Sequence, residues 1–374
     1  MFEHTDILSE LNNASPLSAK LNQIHLVIKQ QFPFIRRVAV ALYDEPTDTI
    51  KTYSHSSEGD DPLSLYEAKL HEVPSLQKMV QSGQPRVVQD LGVFKNNGKV
   101  HTRKIDVQGY RASYTLPMYD NSRFFGLIFF NSYEKDIFDE SNLRLLDIFG
   151  HLIASILLNE LNAIRTLVVS VQAARHMTHH RDVETGEHIN RMAHYARIIA
   201  KELAQHHEMD DEYIEKIFLF SSLHDIGKIA VPDAILRKQG RLTEDEFAIM
   251  QSHATLGREI IDEFLTDLEI SGVKHADILR NIAEFHHEAI DGTGYPAGLR
   301  GNEIPIEARI CAVADVFDAL TTKRPYKEAW SNEDALIAMQ KLAGAKLDAE
   351  CVEALIVNMS KVVEIQNQFF CTGS

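Results

Sequence analysis

The chain has 374 residues, 44% of them hydrophobic and 25% charged, a composition typical of a soluble globular protein with room for two domains. Its formal net charge of −16 argues against a surface that wraps nucleic acid polymers, because such a surface would repel phosphates. No run approaches the ~18 consecutive apolar residues of a membrane-spanning helix. The acidic, polar start lacks a signal-peptide pattern, so we expect a cytoplasmic protein.

The first part of the chain, to about residue 157, has the pattern of an α+β domain. Segments rich in β-branched and aromatic residues predict strands, with one short helix in third place. In chain order these segments are 37–43, 49–54, 75–82 (the helix), 113–119 and 124–130. Asp120-Asn121-Ser122 lies between the last two strands, which predicts a hairpin connection.

The order of these elements, followed by Phe138-Asp139-Glu140 and a long helix, resembles a GAF domain over roughly residues 15–157. GAF domains are small sensory modules, so the resemblance implies that this domain regulates the one that follows it. The sequence leaves open whether the domain binds a ligand or only dimerises. It has no cysteine and no paired histidines in this part that would indicate a covalent chromophore or an iron site.

From Asp139 to about His180 there is no proline, and the only glycine is Gly150, which predicts a helix of about 40 residues. Its apolar residues recur near a 3.5-residue spacing. Because one small domain cannot bury such a long stripe, we expect a parallel two-helix homodimer that carries the sensor's state onward. The alternative is two helices with a break near Asn162.

The second part of the chain is nearly all helical by periodicity and concentrates imidazoles and carboxylates in clusters that a packed core has no use for. The candidates are Glu184, His188, His224, Asp225, His253, His286, His287 and Asp315. Such groups are costly to bury without partners. The economical explanation is that divalent metal ions lie among them, and an oxygen and nitrogen ligand set suits two or three first-row metals.

The adjacent pair His224-Asp225 is the most specific of these signals. We expect it on an apolar helix over 219–228, where the carboxylate would bridge two cations through its two oxygens. Two metals roughly 3.5–4 Å apart are a common arrangement for phosphate-ester hydrolysis. Lys228, about one turn further, is placed to meet a phosphate oxygen. Glu184 and His188, four residues apart, face one side of a helix.

Three segments, 223–228, 286–296 and 308–321, together resemble the HD-GYP family of the HD phosphohydrolase superfamily. They contain His224-Asp225 and Gly294-Tyr295-Pro296, and the match extends to Arg324-Pro325-Tyr326-Lys327. The resemblance implies an all-α helical-bundle HD domain that hydrolyses the bacterial second messenger cyclic di-GMP to pGpG, with GMP as a further product. It also implies two or three iron or manganese ions as cofactors and GGDEF-type proteins as signalling partners.

Carried over by motif, the resemblance places two ligand sets around two metals that share Asp225. The first set is His188, His224, Asp225 and Asp315, and the second is Asp225, His253, His286 and His287. Glu184 matches a position that supports a third ion. The alternative is a two-metal site in which Glu184 accepts a hydrogen bond from a ligand imidazole.

The remaining family positions concern the substrate. Asp225 and Lys228 are the predicted catalytic residues, and the predicted substrate contacts are Lys228, Tyr295, Arg324 and Lys327. One departure is that Ala289-Ile290 follow His286-His287-Glu288 where the family has a basic or polar residue, which puts a charge near the substrate in doubt.

The expected architecture is therefore a GAF-like α+β domain at 1–157, ending in a long connecting helix, and an all-α HD-type domain at 158–374. Two other functions remain open: a cyclic di-GMP receptor with little turnover, and an HD-type di-iron oxygenase. Lys228 and the Gly-Tyr-Pro segment favour phosphate chemistry over oxygen chemistry, and the intact ligand set favours an enzyme.

Overall fold

The structure is a computed structural model that describes residues 6–13, 15–58, 64–93, 108–177, 186–267, 276–323 and 328–370. The chain divides into two compact units. The first is Met1–Asn162 with Asp210–Glu212, and the second is Ala163–Met209 with Tyr213–Ser374. The domain boundary expected at residues 157 and 158 stays a prediction.

The first unit is built on a six-stranded antiparallel sheet with helices, as an α+β domain should be. Its strands are β1 (Arg37–Asp44), β2 (Thr49–Ser57), β3 (Glu67–Lys69), β4 (Arg86–Val88), β5 (Ala112–Asp120) and β6 (Arg123–Ser132). Their order across the sheet is β3-β2-β1-β6-β5-β4. The helices are α1 (Leu17–Gln31), α2 (Pro74–Ser82) and the part of α3 (Glu140–Met177) that precedes Ala163, with 3-10 helices at Ser9–Asn12 and Leu70–Glu72.

The predicted strand pairs are confirmed. Strand β1 pairs with β2, and β5 pairs with β6, both antiparallel. Asn121 and Ser122 connect β5 to β6 with φ values of 46° and 69°. Two consecutive residues with positive φ are the signature of the tight hairpin turn whose twist matches that of the flanking strands.

Helix α3 is one continuous helix of 38 residues, so the alternative break near Asn162 is wrong. A Cβ at Gly150 would lie 2.4 Å from Leu116 Cδ2, which shows that the helix lies directly on the sheet at that point. Ile153 and Leu157 are fully buried. The chain's own sheet therefore buries part of this stripe, and the expected homodimer stays a prediction.

Part of α3, Glu140–Thr166, is the one segment of the described residues whose length and mean hydropathy of 1.3 would suit a membrane span. Core helices of soluble proteins can have the same length and hydropathy, and 33% of this apolar window is buried. The segment is therefore not assigned as a membrane span.

The regular secondary structure in the described part of the second unit is helical, as predicted, apart from two isolated β-bridges. Its helices are α4 (Gly186–Leu203), α5 (Asp211–Ser221), α6 (Asp233–Leu236), α7 (Glu244–Gln251), α8 (His253–Asp267), α9 (Ala276–Phe285), α10 (Ile306–Thr321), α11 (Asn332–Leu342), α12 (Ala349–Val357) and α13 (Met359–Phe370), with 3-10 helices at Ile226–Ala230 and Gly301–Glu303. Helix α4 packs against α10, α12 and α13, and α8 packs against α9 and the 3-10 helix Ile226–Ala230.

Gly227 lies where this 3-10 helix meets α8. A Cβ at residue 227 would lie 1.8 Å from the carbonyl oxygen of His253 and 2.5 Å from the backbone nitrogen of Gly257. Since backbone atoms cannot move aside locally, we expect Gly227→Ala to destabilise the protein by about 3 kcal/mol or more. Urea unfolding followed by circular dichroism would show a lower midpoint.

Gly186→Ala is the matched control, because a Cβ at residue 186 would meet no atom within 4 Å. We expect its unfolding midpoint to equal that of the wild type or to lie slightly above it. Equal midpoints for the two variants would contradict the close approach of the 3-10 helix to α8.

Candidate metal centre

Several helices and their ends carry the predicted ligands. His188 lies in the first turn of α4 and Asp315 lies on α10. His253 is the first residue of α8, and the pair His286-His287 directly follows α9. Glu184 lies outside the described residues.

His224 and Asp225 lie in a turn, which corrects the prediction that they lie on a helix. Helix α5 ends at Ser221, because the hydroxyls of Ser221 and Ser222 donate to the carbonyls of Phe218 and Leu219 and compete with the helical ladder. Adjacent residues on a helix point to different sides. In the turn they converge, and His224 Nε2 lies 3.1 Å from Asp225 Oδ2.

The structure brings the seven described candidates into two groups. One group is Asp225, His253, His286 and His287, and the other is His188, His224 and Asp315; within each group the ligand atoms lie within 4.8 Å of one another.

Asp225 lies between the two groups. Its Oδ1 is 3.3 Å from His253 Nε2 and 3.7 Å from His286 Nε2, whereas its Oδ2 faces His224 of the other group. One carboxylate therefore presents a different oxygen to each group.

Four of the histidines have their tautomer fixed by an acceptor at Nδ1. His188 Nδ1 donates to Asp318 Oδ2 at 2.7 Å. The other three donate to backbone carbonyls three or four residues earlier: His224 to Ser221 (2.8 Å), His253 to Met250 (2.7 Å) and His286 to Ile282 (2.8 Å). Because Nδ1 carries the proton, Nε2 keeps its lone pair, as a metal ligand must.

Three buried polar atoms in the centre have no hydrogen-bond partner among the described residues: Asp225 Oδ1, His253 Nε2 and His286 Nε2. All three present lone pairs, so they repel one another and no proton joins them. Leaving buried acceptors unsatisfied is costly. A divalent cation between them would satisfy all three, and the donor set fits such an ion.

The protonation states also suit metal binding. Burial raises the pKa of Asp225, but the Lys228 cation and His224 outweigh it and hold the pKa well below its usual value. Burial lowers the pKa of His286, against the opposing effect of Asp225, and burial and the neighbouring His286 lower the pKa of His287. At neutral pH the carboxylate is therefore ionised and these two imidazoles are neutral.

Two of the predicted substrate contacts lie at this centre. Lys228 Nζ is 2.6 Å from Asp225 Oδ2, and the lysine side chain keeps 20% exposure. The ring of Tyr295 lies 4.8 Å from the ring of His287 and 6.2 Å from that of His253. Arg324 and Lys327 lie outside the described residues.

Glu288 anchors the loop that carries Tyr295. Its carboxylate accepts hydrogen bonds from the backbone N–H groups of Ala297 (2.7 Å), Gly298 (3.0 Å) and Leu299 (3.0 Å). A Cβ at Gly294 would lie 2.3 Å from the backbone nitrogen of Ala289, so this glycine allows the loop to pack on its own backbone.

Sequence reasoning missed the role of Arg191. Its Nε and Nη2 donate to the two oxygens of Asp318 at 2.7 and 2.9 Å, and both side chains are only 1% exposed. Asp318 thereby holds His188 and Arg191 together. The available signal was spacing, since Arg191 follows His188 by three residues and Asp318 follows Asp315 by three, which puts each pair on one helix face.

Comparison with known proteins agrees with this site. A family model described as an HD domain matches residues 182–351. The cyclic di-GMP phosphodiesterase response regulator RpfG of Xanthomonas campestris pv. campestris is 42% identical over 190 residues, covering 51% of this chain and 47% of that protein. The 3'3'-cGAMP-specific phosphodiesterase 2 of Vibrio cholerae is 38% identical over 186 residues, covering 50% of this chain and 34% of that protein.

Residues 182–351 therefore match the HD-domain model, and this part of the chain is similar in sequence to proteins named as cyclic dinucleotide phosphodiesterases. The matched part of the chain covers about half of RpfG and about a third of the Vibrio cholerae protein.

Among solved structures, the GAF domain/HD domain protein from Geobacter sulfurreducens is similar to this chain, with 13% identity and a TM-score of 0.33, covering 40% of this chain and 98% of that chain. An α+β domain followed by an all-α HD-type domain is the predicted fold class, which is confirmed.

Proposed function

We propose that the chain hydrolyses cyclic di-GMP to linear pGpG and, by a second cleavage, to GMP. The observation that carries the proposal is the position of Asp225 within an HD domain, with one oxygen toward His253 and His286 and the other toward His224. The relative RpfG, whose name describes a cyclic di-GMP phosphodiesterase, supports the choice of substrate.

The residues fit two metal ions that share Asp225. His188, His224 and Asp315 would hold the first ion together with Asp225, and His253, His286 and His287 would hold the second. We propose iron, with manganese as the alternative, because imidazoles and carboxylates suit both. When bound, such ions lower the pKa of water toward neutrality and offset charge on phosphate oxygens.

Lys228 has two tasks in this proposal. Its cation keeps Asp225 ionised, and its partly exposed Nζ would hold a phosphate oxygen of the substrate. We expect Lys228→Met to lower kcat for cyclic di-GMP by about 100-fold at saturating metal, where the bound cations themselves keep Asp225 ionised. Initial rates and metal analysis of the same preparation measure the change and the metal loading.

The control for this variant is Lys238→Met, which removes a lysine that pairs with Glu246 outside the site and should leave kcat unchanged. An unchanged kcat in Lys228→Met would show that this lysine contributes nothing to the reaction.

A third ion at Glu184 is the finer part of the proposal. If Glu184 ligates an ion, Glu184→Ala should lower the metal content by about one ion per chain. Glu187→Gln is the control, because this half-exposed residue faces Arg191 at 3.9 Å and is not a predicted ligand. An unchanged metal content in Glu184→Ala would leave the two-metal alternative.

The decisive assay is incubation of the metal-loaded chain with cyclic di-GMP and, separately, with 3'3'-cGAMP, followed by mass spectrometry of the products. The proposal predicts many turnovers per chain and pGpG as the first product. One turnover or less despite loaded metal would favour the receptor alternative. Oxygen consumption without ester cleavage would favour the oxygenase alternative.

We further propose that the first unit regulates this activity and that the chain forms a homodimer through α3. Ile148 and Val169 on this helix are 64% and 60% exposed, so both side chains are accessible to a second copy of the chain. Light scattering of the full chain tests the dimer. GGDEF-type proteins as partners and a cytoplasmic location rest on the sequence alone.

A further inference from the structure

Helix α7 carries an exposed aromatic side chain beside the candidate metal centre. Phe247 is 50% exposed, and its ring lies 6.5 Å from the ring of Tyr295 at an interplanar angle of 81°. The ring of Tyr295 in turn lies against the imidazoles of His287 and His253. A series of aromatic rings therefore extends from two candidate metal ligands to the outside of the second unit.

The position of Phe247 is set by the two ends of α7, because no residue of this helix is buried. At the first end, Thr243 and Glu246 form a capping box, with N–H to side-chain oxygen distances of 2.7 and 3.3 Å. At the other end, the carbonyl of Met250 accepts the hydrogen bond from His253 Nδ1 at 2.7 Å. Helix α7 is thus tied directly to a candidate metal ligand.

Phe247 differs from an ordinary exposed apolar residue through its neighbour. Single apolar side chains are common on protein surfaces, and Ile249 on the same helix is also 43% exposed. Residues two apart on a helix do not share a face, so Ile249 lies on another side of α7. The rings of Phe247 and Tyr295 stand almost perpendicular to each other and form an aromatic corner.

The aromatic corner, defined as Phe247 and Tyr295, has a shape that suits a planar base. A base parallel to the Phe247 ring would meet the Tyr295 ring at nearly a right angle, and aromatic rings favour both the offset stack and the edge-to-face contact. Aromatic side chains bind nucleobases in this way because every base has a flat π-face. In a nucleotide one sugar separates the base from the phosphate, and here one tyrosine ring separates Phe247 from the imidazoles.

We propose that a nucleobase of the substrate stacks on the ring of Phe247 while the phosphate lies at the metal centre. Phe247 thereby selects nucleotides over smaller phosphate esters. This assignment rests on the proposed function in one respect, since the substrate has to be a nucleotide. It does not depend on the number or identity of the metal ions.

Binding of GMP and of ribose 5-phosphate to the metal-loaded full chain tests the stack directly. Both probes carry a phosphate and a ribose, but only GMP carries a base. Phe247→Ala should weaken the binding of GMP by about 5- to 100-fold and leave that of ribose 5-phosphate unchanged. Phe247→Trp should bind GMP as the wild type does, because an indole also offers a flat face. Isothermal titration measures all of these affinities.

Three results would overturn the proposal. The first is unchanged GMP binding in Phe247→Ala, and the second is an equal loss for GMP and ribose 5-phosphate in that variant. The third is a wild-type chain that binds GMP no more tightly than ribose 5-phosphate.

Ile249→Ala is the matched control, because it removes a similarly exposed apolar side chain from another side of the same helix. It should bind GMP as the wild type does. A loss of GMP affinity equal to that of Phe247→Ala would show that the structure of α7, rather than the ring, determines binding, and the proposal would then fail.

Kinetics with cyclic di-GMP separate this proposal from the proposed function. Phe247→Ala should raise KM and lower kcat/KM by about 5- to 100-fold, because a stacked base is bound equally well before and in the transition state. A lower kcat at unchanged KM would contradict base stacking. If the wild type does not hydrolyse cyclic di-GMP, the proposed function fails, whereas the titration with GMP still decides the role of Phe247.

Discussion

Replacement of Asp225 with alanine is expected to abolish hydrolysis of cyclic di-GMP and to empty at least one metal position. Within the described residues, the Asp225 carboxylate faces both ligand sets, and the pKa that Lys228 and His224 hold low keeps it ionised. We expect a loss of at least about 1,000-fold in rate, equivalent to about 4 kcal/mol of transition-state stabilisation. Rates and metal content of the purified variant measure this.

Two further variants serve as comparisons, one that removes only the charge of residue 225 and one that removes a carboxylate outside the site. Asp225→Asn keeps the shape but removes the charge, so it should lose metal almost as fully as Asp225→Ala. Asp245→Ala removes an exposed carboxylate on α7 and should keep both metal and rate. Full turnover in Asp225→Ala, with correct folding by circular dichroism, would refute the shared-ligand role.

The second large effect is expected from Asp318→Ala. This change leaves the buried guanidinium of Arg191 without its two charge-assisted hydrogen bonds and removes the acceptor of His188 Nδ1. Breaking a buried ion pair from one side costs about 3–5 kcal/mol. Urea unfolding in the presence of a chelator would report this loss without a contribution from metal.

The double variant Asp318→Leu with Arg191→Met tests whether the unpaired Arg191 charge causes the loss of stability. Removing both charges should restore most of the stability, because no buried charge is left unpaired. Metal affinity should stay about 10–100-fold below that of the wild type, since His188 is still not held in place. Wild-type stability in the single variant would contradict the account of this pair.

Local patterns in the sequence predicted four of the six strands of the first unit and helices α2 and α3, but not strands β3 and β4 or helix α1. The pairing of β1 with β2 and the hairpin of β5 and β6 follow from β-branched runs and a turn of two polar residues. The burial of the α3 stripe was not predictable in this way. Whether Gly150 lies on its own domain's sheet or on a second chain depends on where Leu116 lies, which helical spacing does not report.

The sequence predicted the ligand residues of the candidate site but not the local structure around His224 and Asp225. The ligand residues were identified because spaced motifs of unusual chemistry resemble a known family. The turn at His224-Asp225 was missed because Ser221 and Ser222 end the helix through their own hydroxyls, a local competition that apolar patterning hides. The contact between Arg191 and Asp318 joins residues 127 positions apart, and no short-range rule pairs them.

The central claim is that imidazoles and carboxylates from separate helices meet to hold divalent metals. Metal analysis of anaerobically purified full-length chain by mass spectrometry tests it most directly. We expect about two or three ions of iron or manganese per chain. A chain that holds neither metal after purification and after reconstitution with both ions would contradict the account.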